Sequence, residues 1–428
     1  MKKLIPFLFT LLSSVLVFSQ TNLNSDALKE RDLKTLKAVQ NKYNNFNNRF
    51  EKNVYNQHFT RIENDLNKNY KKNFFILDND YQEFIKNCFQ NIKDANKTIP
   101  LESPHFYILK SNVPNASSLG FDYYMINNGL FQLFDNEYQF AAVITHEIAH
   151  NYLQHVKLEI IQEAEFIQDF KKEYRSLKRS DLIKLIKSQD EVIQKKYDLA
   201  NQSRKKEIAA DSLGFILYSQ LNFPKIEYLN SLKKLEEFDE KIKTTTINDS
   251  LYYQTFEVNG VKLNPKWLKI QKNELFSGLS FTEHVNQDSV STHPNIVDRI
   301  NWLKNNFKIE EKQLESKNAS TNYIQLKKKY NDTLFDNYYD NNEYAVALYH
   351  LIREKNLNSK LLDFDKNIAI IFNKLHEGRL KLSFNKYVPI ADVNSEKTDY
   401  NKFLHLIWNI PTADLKTIAD YYKTKATI

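Results

Sequence analysis

Residues 137–152 read EYQFAAVITHEIAHNY and carry the segment His146-Glu147-Ile148-Ala149-His150. Phe140, Val143, Ile144, Ile148 and Leu153 keep helical spacing, and Asp135 or Asn136 offers an N-cap. The pattern predicts a helix with H-E-x-x-H in its middle. Residues four apart on a helix lie about 40° apart around the axis and one turn apart along it. His146 and His150 can therefore aim two imidazoles at one metal ion, while Glu147 projects from the adjacent side toward a reacting water. That is the geometry of a zinc hydrolase, although H-E-x-x-H also arises by chance in long chains.

A zinc site needs a third protein ligand. Residues 206–211 read KEIAAD on a second helical pattern. Glu207 can supply a carboxylate oxygen and leave the fourth position open, as a catalytic site requires. Asp211, one turn on, can accept a hydrogen bond from a ligand imidazole and fix its tautomer. Most such acidic pairs are surface carboxylates. Here Ile208, Ala209, Ala210, Leu213, Gly214 and Phe215 make the helix look buried, and a buried acid asks for a partner. His155 is the other candidate, but five residues beyond His150 on a continuous helix it points about 140° away. The metzincin pattern would need a Gly and a His six residues on, and neither is present. His155 reads as a near-site or surface histidine. Further on, Thr292-His293-Pro294 precedes a helical pattern containing Arg299, with Pro294 suited to a helix start.

The rest of the chain sets the context. Met1-Lys2-Lys3, an apolar run from Leu4 to about Phe18 and a small residue at Ser19 describe a signal peptide over 1–19. The run is shorter than the ~20 residues of a membrane helix, and no later stretch is apolar enough to span a bilayer. The expected mature protein is exported, periplasmic or extracellular, with no stable membrane span after cleavage. The single cysteine, Cys88, excludes an internal disulfide framework and a cysteine zinc site, and reads as a small buried hydrophobe. The net charge of +7 comes from lysines spread among acidic neighbours, which describes a solvated surface and not a nucleic-acid footprint. Only six glycines in 428 residues suit a helix-rich protein.

Helical spacing with few breakers runs from Leu28 to Lys97. His105–Lys110 and Phe121–Ile126 read as strands, with turn signals at Pro114-Asn115 and Asn127-Asn128-Gly129. Residues 157–205 read as a helical hairpin with a fresh N-cap at Ser180-Asp181, serving as a connector in preference to a lid. Residues 240–290 are irregular and aromatic. After about Lys317 the pattern is helical to the end, without a convincing 34-residue repeat. The expected division is an N-terminal helical segment over 20–98, a metal-binding core over 99–317 and an α-helical C-terminal region over 318–428.

Four motifs in this order resemble those of the HtpX- and BepA-like gluzincins, the metallopeptidase family that also contains the CAAX prenyl endopeptidases. They are Asn115-Ala116 leading to an edge strand and Gly129-Leu130; His146, Glu147, His150 with His155 five on; Glu207, Ala210, Asp211; and His293-Pro294 with Arg299-Ile300. The resemblance covers roughly residues 100–305. It implies a mainly α fold with a small β-sheet (α+β), a gluzincin-type metallopeptidase domain followed by an α-helical C-terminal region. The membrane branches of the family carry transmembrane helices that this chain lacks beyond its N-terminus, which favours a soluble, exported member. The implied enzyme is a zinc endopeptidase acting on proteins or peptides, with one zinc on His146, His150 and Glu207 and with Glu147 as general base. Asp211 and Arg299 support the site, Arg299 by pairing with a carboxylate. His293 either takes the fourth zinc position in a resting state or stabilises the oxyanion. The substrate is expected to pair on an edge strand at Phe121, Tyr123 and Met125. The competing reading is a non-catalytic, chaperone-like envelope protein that binds unfolded chains through its helical C-terminal region. Nothing in the sequence addresses the oligomeric state.

Overall fold

The computed structural model describes residues 25–46, 48–174, 204–244, 246–269, 296–309, 318–356, 363–391 and 398–426. The signal peptide at 1–19, the cap at Ser180-Asp181 and His293 lie outside the described residues. The fold is mostly helical, with one small mixed sheet.

Three helices open it: α1 (25–43), α2 (Arg49–Lys71) and α3 (Asn79–Ala95). The uninterrupted spacing from Leu28 to Lys97 breaks where polar caps outcompete helix continuation. Asn48 accepts from the Glu51 N–H, and Asp78 from the Asp80 N–H.

The sheet has the order β1 (His105–Leu109), β3 (Tyr123–Asn127), β2 (Ala116–Gly120). β1 runs parallel to β3, with His105 opposite Tyr123, and β2 runs antiparallel, with Ala116 opposite Ile126. This corrects the expected substrate edge. Tyr123 and Met125 lie in the central strand, paired on both sides, and Tyr123 is fully buried. Phe121 sits in the β2–β3 turn. Among the described residues the free edge is β2, whose sequence ASSLG has no apolar alternation to mark it as a strand.

The β2–β3 turn holds three consecutive residues at positive φ: Gly120 (75°), Phe121 (53°) and Asp122 (65°). For the two non-glycine residues this costs about 1–3 kcal/mol each. Two features offset it. Phe121 is buried among Tyr43, Tyr55, His58 and Phe59. Asp122 is tied to Asn151 in both directions: its N–H donates to Oδ1 at 3.0 Å, and its Oδ1 accepts from Nδ2 at 2.7 Å.

After the short α4 (Gly129–Leu133) come α5 (Glu137–Tyr152) and α6 (His155–Tyr174), then α7 (204–219) and α8 (Ile226–Thr244). α5 buries Phe140, Ala141, Ala142, Val143 and Ile144 in succession, as a helix enclosed on all sides does. It packs between β2 and α8. Within the stretch read as irregular, the described part holds α9 (Asp249–Phe256), whose Tyr252 and Phe256 are fully buried. The chain continues through α10 (Ile296–Phe307), α11 (Thr321–Asp340), α12 (Tyr344–Asn356), α13 (Phe364–Leu380), α14 (Thr398–Asn409) and α15 (Thr412–Ala426). One hydrophobic core runs from Tyr81 through α5 and α8 into these last helices. A second, between α1, α2, α6 and the sheet, includes Tyr55, Phe59, Phe121 and Ile160.

α11 also grips the loop that leads into β2. Asn112 Oδ1 accepts from Tyr330 Oη at 2.9 Å and Asn337 Nδ2 at 3.0 Å, and its Nδ2 donates to the Leu334 carbonyl at 3.0 Å. Lys110 pairs with Asp340 at 3.0 Å.

α7 lies unusually close to α5 because residue 214 has no side chain. A Cβ there would stand 3.0 Å from His146 Cα and 2.7 Å from Tyr228 Oη. Alanine in a helix interior normally stabilises by ~1 kcal/mol over glycine. Here overpacking against backbone costs about 1–3 kcal/mol. Gly214→Ala is therefore expected to lower the melting temperature and weaken metal binding. A raised melting temperature would show that the two helices separate without penalty.

Candidate metal centre

α5 and α7 meet so that three ligand atoms converge. His146 Nε2 and His150 Nε2 are 3.0 Å apart. Glu207 places Oε2 at 3.5 Å from His146 Nε2 and Oε1 at 3.5 Å from His150 Nε2. Ligands at ~2.0–2.1 Å from a tetrahedral zinc are about 3.3 Å from one another, so these separations suit the ion. Among the described residues this is the one group of three His, Cys, Asp or Glu side chains with ligand atoms so close together. The charge also fits. Glu147, Glu207 and Asp211 face one guanidinium, that of Arg299, which leaves two negative charges for a dication to neutralise.

Each ligand has a support. Asp211 is almost completely buried and holds Arg299 through two bonds of 2.6 Å, from Nε and Nη2. Arg299 Nη1 also stands 3.7 Å from Glu207 Oε2. Asp211 Oδ1 lies 3.0 Å from His146 Nδ1, off the line of a good hydrogen bond. α10 thus reaches the site through Arg299, which pairs with the carboxylate that backs His146.

His155 is the near-site histidine of the two readings, buried and not turned away from His150. α5 ends at Tyr152, Gln154 takes a left-handed φ of 56°, and α6 starts at His155. The break turns the imidazole back, so His155 Nδ1 lies 2.9 Å from His150 Nδ1. The angle expected for a continuous helix fails because the helix does not continue.

Glu147 points to the sheet. Its Oε2 accepts from the Ser118 N–H of β2 at 2.6 Å. Neither Ser118 nor its strand stands out in the sequence, apart from the Asn115-Ala116 that precedes them. A cleft of about 270 Å³ joins β2 to the three ligands and to Leu232 and Leu235 of α8. A larger cavity of about 510 Å³ opens beside it, with His150 lining both.

The electrostatics follow from burial and partners. Burial opposes a charge on His146, but Asp211 and then Glu207 outweigh it and raise the imidazole to about 10. Burial, then the neighbouring His146, push His150 down to about 3. Burial raises the Glu147 carboxyl above its ordinary range, against the pull of His146 and the Ser118 N–H. Burial would also raise Asp211, but Arg299 holds it below the usual carboxylate range. Away from the site, Cys88 is half-buried against the core rather than within it, and burial pushes its thiol up to about 12.

Residues 78–306 match the model of peptidase family M48. No curated protein matches the chain.

To hold zinc, His146 would have to give up the proton that Asp211 and Glu207 favour on it. Zinc affinity should therefore rise about tenfold per pH unit between about pH 6 and 8. Chelator competition at several pH values measures it. A flat profile would mean that His146 is already neutral in this range.

Proposed function

The chain belongs to peptidase family M48 and is a metallopeptidase with the zinc ligand set His146, His150 and Glu207, and we propose that it is an exported endopeptidase holding one zinc per chain. One observation carries this reading: the general base Glu147 sits between the ligand cluster and the free edge of β2, bonded to the Ser118 N–H. Base, ligands and a docking edge for peptide share one cleft.

Zinc, when bound, supplies a Lewis acid that polarises the scissile carbonyl and eases the deprotonation of water. Glu147 takes the proton as the water oxygen bonds to the carbonyl carbon, and passes it to the amine nitrogen as the C–N bond breaks. Its burial keeps its pKa above the ordinary carboxylate range, which suits a group that must both accept and return a proton. The peptide pairs as an added strand on β2. Ser118 turns its N–H away from β3, and by the alternation of an antiparallel ladder Ala116 faces the same way. Ala116 offers both of its backbone groups for pairing and Ser118 its carbonyl, since Glu147 holds the Ser118 N–H. Asp211 and Arg299 hold His146 and Glu207 in place. For His293 the family resemblance is the support, with its two roles: a resting zinc ligand or an oxyanion group.

The intact Glu147 speaks against a purely chaperone-like protein, which has no use for a base at that position. Casein cleavage and zinc content test the enzyme. Glu147→Gln should retain zinc and lose activity by about 10²–10⁴. Glu207→Gln should lose most of its zinc. Activity of Glu147→Gln within tenfold of the parent protein would remove Glu147 as the base. In the same assay, His293→Ala lowers kcat if the imidazole stabilises the oxyanion, and raises basal cleavage if it blocks the site at rest.

Export is supported by the basic N-terminus and the apolar run from Leu4 to about Phe18. No helix among the described residues is long and apolar enough to cross a membrane. The mature protein should begin at Gln20. Recovery of the cytosolic chain with its first nineteen residues intact would overturn export.

A further inference from the structure

The mechanism above leaves His155 without a part, although it is a buried imidazole in direct contact with a zinc ligand. We propose that His155 is a positioning residue: its Nδ1 accepts a hydrogen bond from the Nδ1–H of His150 and so fixes the tautomer and the aim of that ligand. The proposal rests on the reading of His146, His150 and Glu207 as the zinc ligands.

The count of ring protons fixes which nitrogen donates. A neutral imidazole has one N–H and one lone pair. His150 directs Nε2 at the cluster, 3.0 Å from His146 Nε2 and 3.5 Å from Glu207 Oε1, so its lone pair belongs there and its proton belongs on Nδ1. The atom 2.9 Å from that Nδ1 is His155 Nδ1. Two N–H groups cannot face each other at that distance, so His155 presents a lone pair at Nδ1 and carries its own proton on Nε2. The two rings meet nearly perpendicular, at 79°, as an in-plane donor and an acceptor on different helices can.

The backbone is shaped for this contact. Gln154 adopts a left-handed φ of 56° between two helices, a conformation that costs a non-glycine residue about 1–3 kcal/mol. Without that break the imidazole would lie on another face of α5. The contact also makes the support of the two histidines unequal. His146 is backed by the carboxylate of Asp211, whereas His150 is backed by a neutral ring. Metal-binding histidines generally hand their second N–H to a carboxylate, a carbonyl or water, and loss of that partner lowers metal affinity about 10–100-fold. An imidazole in the acceptor role does the same work without adding a negative charge to a cluster that already carries two.

The test compares two substitutions in the full chain. Asparagine places an amide oxygen near the position of Nδ1 and keeps the acceptor, whereas leucine fills the space without one. Zinc affinity, measured by chelator competition, should fall about 10–100-fold in His155→Leu and stay within about threefold of the parent in His155→Asn. Equal affinity in all three proteins, or equal loss in both variants, would overturn the proposal. A second measurement does not depend on the folding of any variant. Nitrogen-15 spectra of the zinc-loaded parent protein should show His155 protonated on Nε2 and bare on Nδ1, with His150 protonated on Nδ1. A proton on His155 Nδ1 would sink the idea. Failure of the parent protein to bind zinc at all would instead overturn the ligand assignment on which the proposal stands.

Discussion

The cleft depends on one buried ion pair. Asp211 and Arg299 come from helices 88 residues apart in sequence and meet through two short bonds with almost no solvent contact. A buried charge pair of this kind contributes little net stability, but removing one partner strands the other at a cost of about 3–5 kcal/mol. The pair is worth retaining because of where it sits. Asp211 backs His146, and the same guanidinium stands near Glu207. One cation therefore fixes two of the three ligand side chains and brings α10 onto α7. Gly214 allows α7 to lie against α5 closely enough for these contacts.

The surroundings of the three ligands are graded. Glu207 carries a charge toward the metal position, His146 leans on a second carboxylate, and His150 leans on a neutral ring. Such a gradient keeps the charge of the cluster at a value that a dication cancels. Glu147, the third carboxylate in that charge balance, is engaged by the backbone of β2. Glu147 and the histidine ligands thus lie next to each other on α5 yet belong to different hydrogen-bond systems, and charge rather than a shared bond couples them.

Much of the centre was legible in the sequence because α-helical spacing is rigid. His146 and His150 are four positions apart, as are Glu207 and Asp211, and any straight helix must present each pair on one face. The mainly helical fold with a small sheet was legible for the same reason, together with the scarcity of glycine. What escaped reading was set by contacts distant in sequence. β2 is a strand through its pairing with β3 and its packing on α5, and Ala-Ser-Ser-Leu-Gly announces neither. The edge was placed on Tyr123 and Met125 because their alternation is the stronger strand signal, yet such alternation marks buried strands as readily as edges. The position of His155 turned on a helix break at Gln154, where no glycine or proline gives notice. Arg299 could be joined to a carboxylate by resemblance, but no periodicity links it to Asp211.

The grip of α11 on Asn112 has a consequence for the life history of the molecule. The loop that leads into β2 is held by Tyr330 and Asn337, which lie 218 and 225 positions after Asn112 in the chain. A polypeptide emerging from a ribosome or a translocation pore reaches the ligand cluster long before it reaches these anchors. The loop before β2 lacks these anchors until α11 has been made and has folded. The loop before β2 is thus completed by residues that lie beyond the 78–306 span matched by the family.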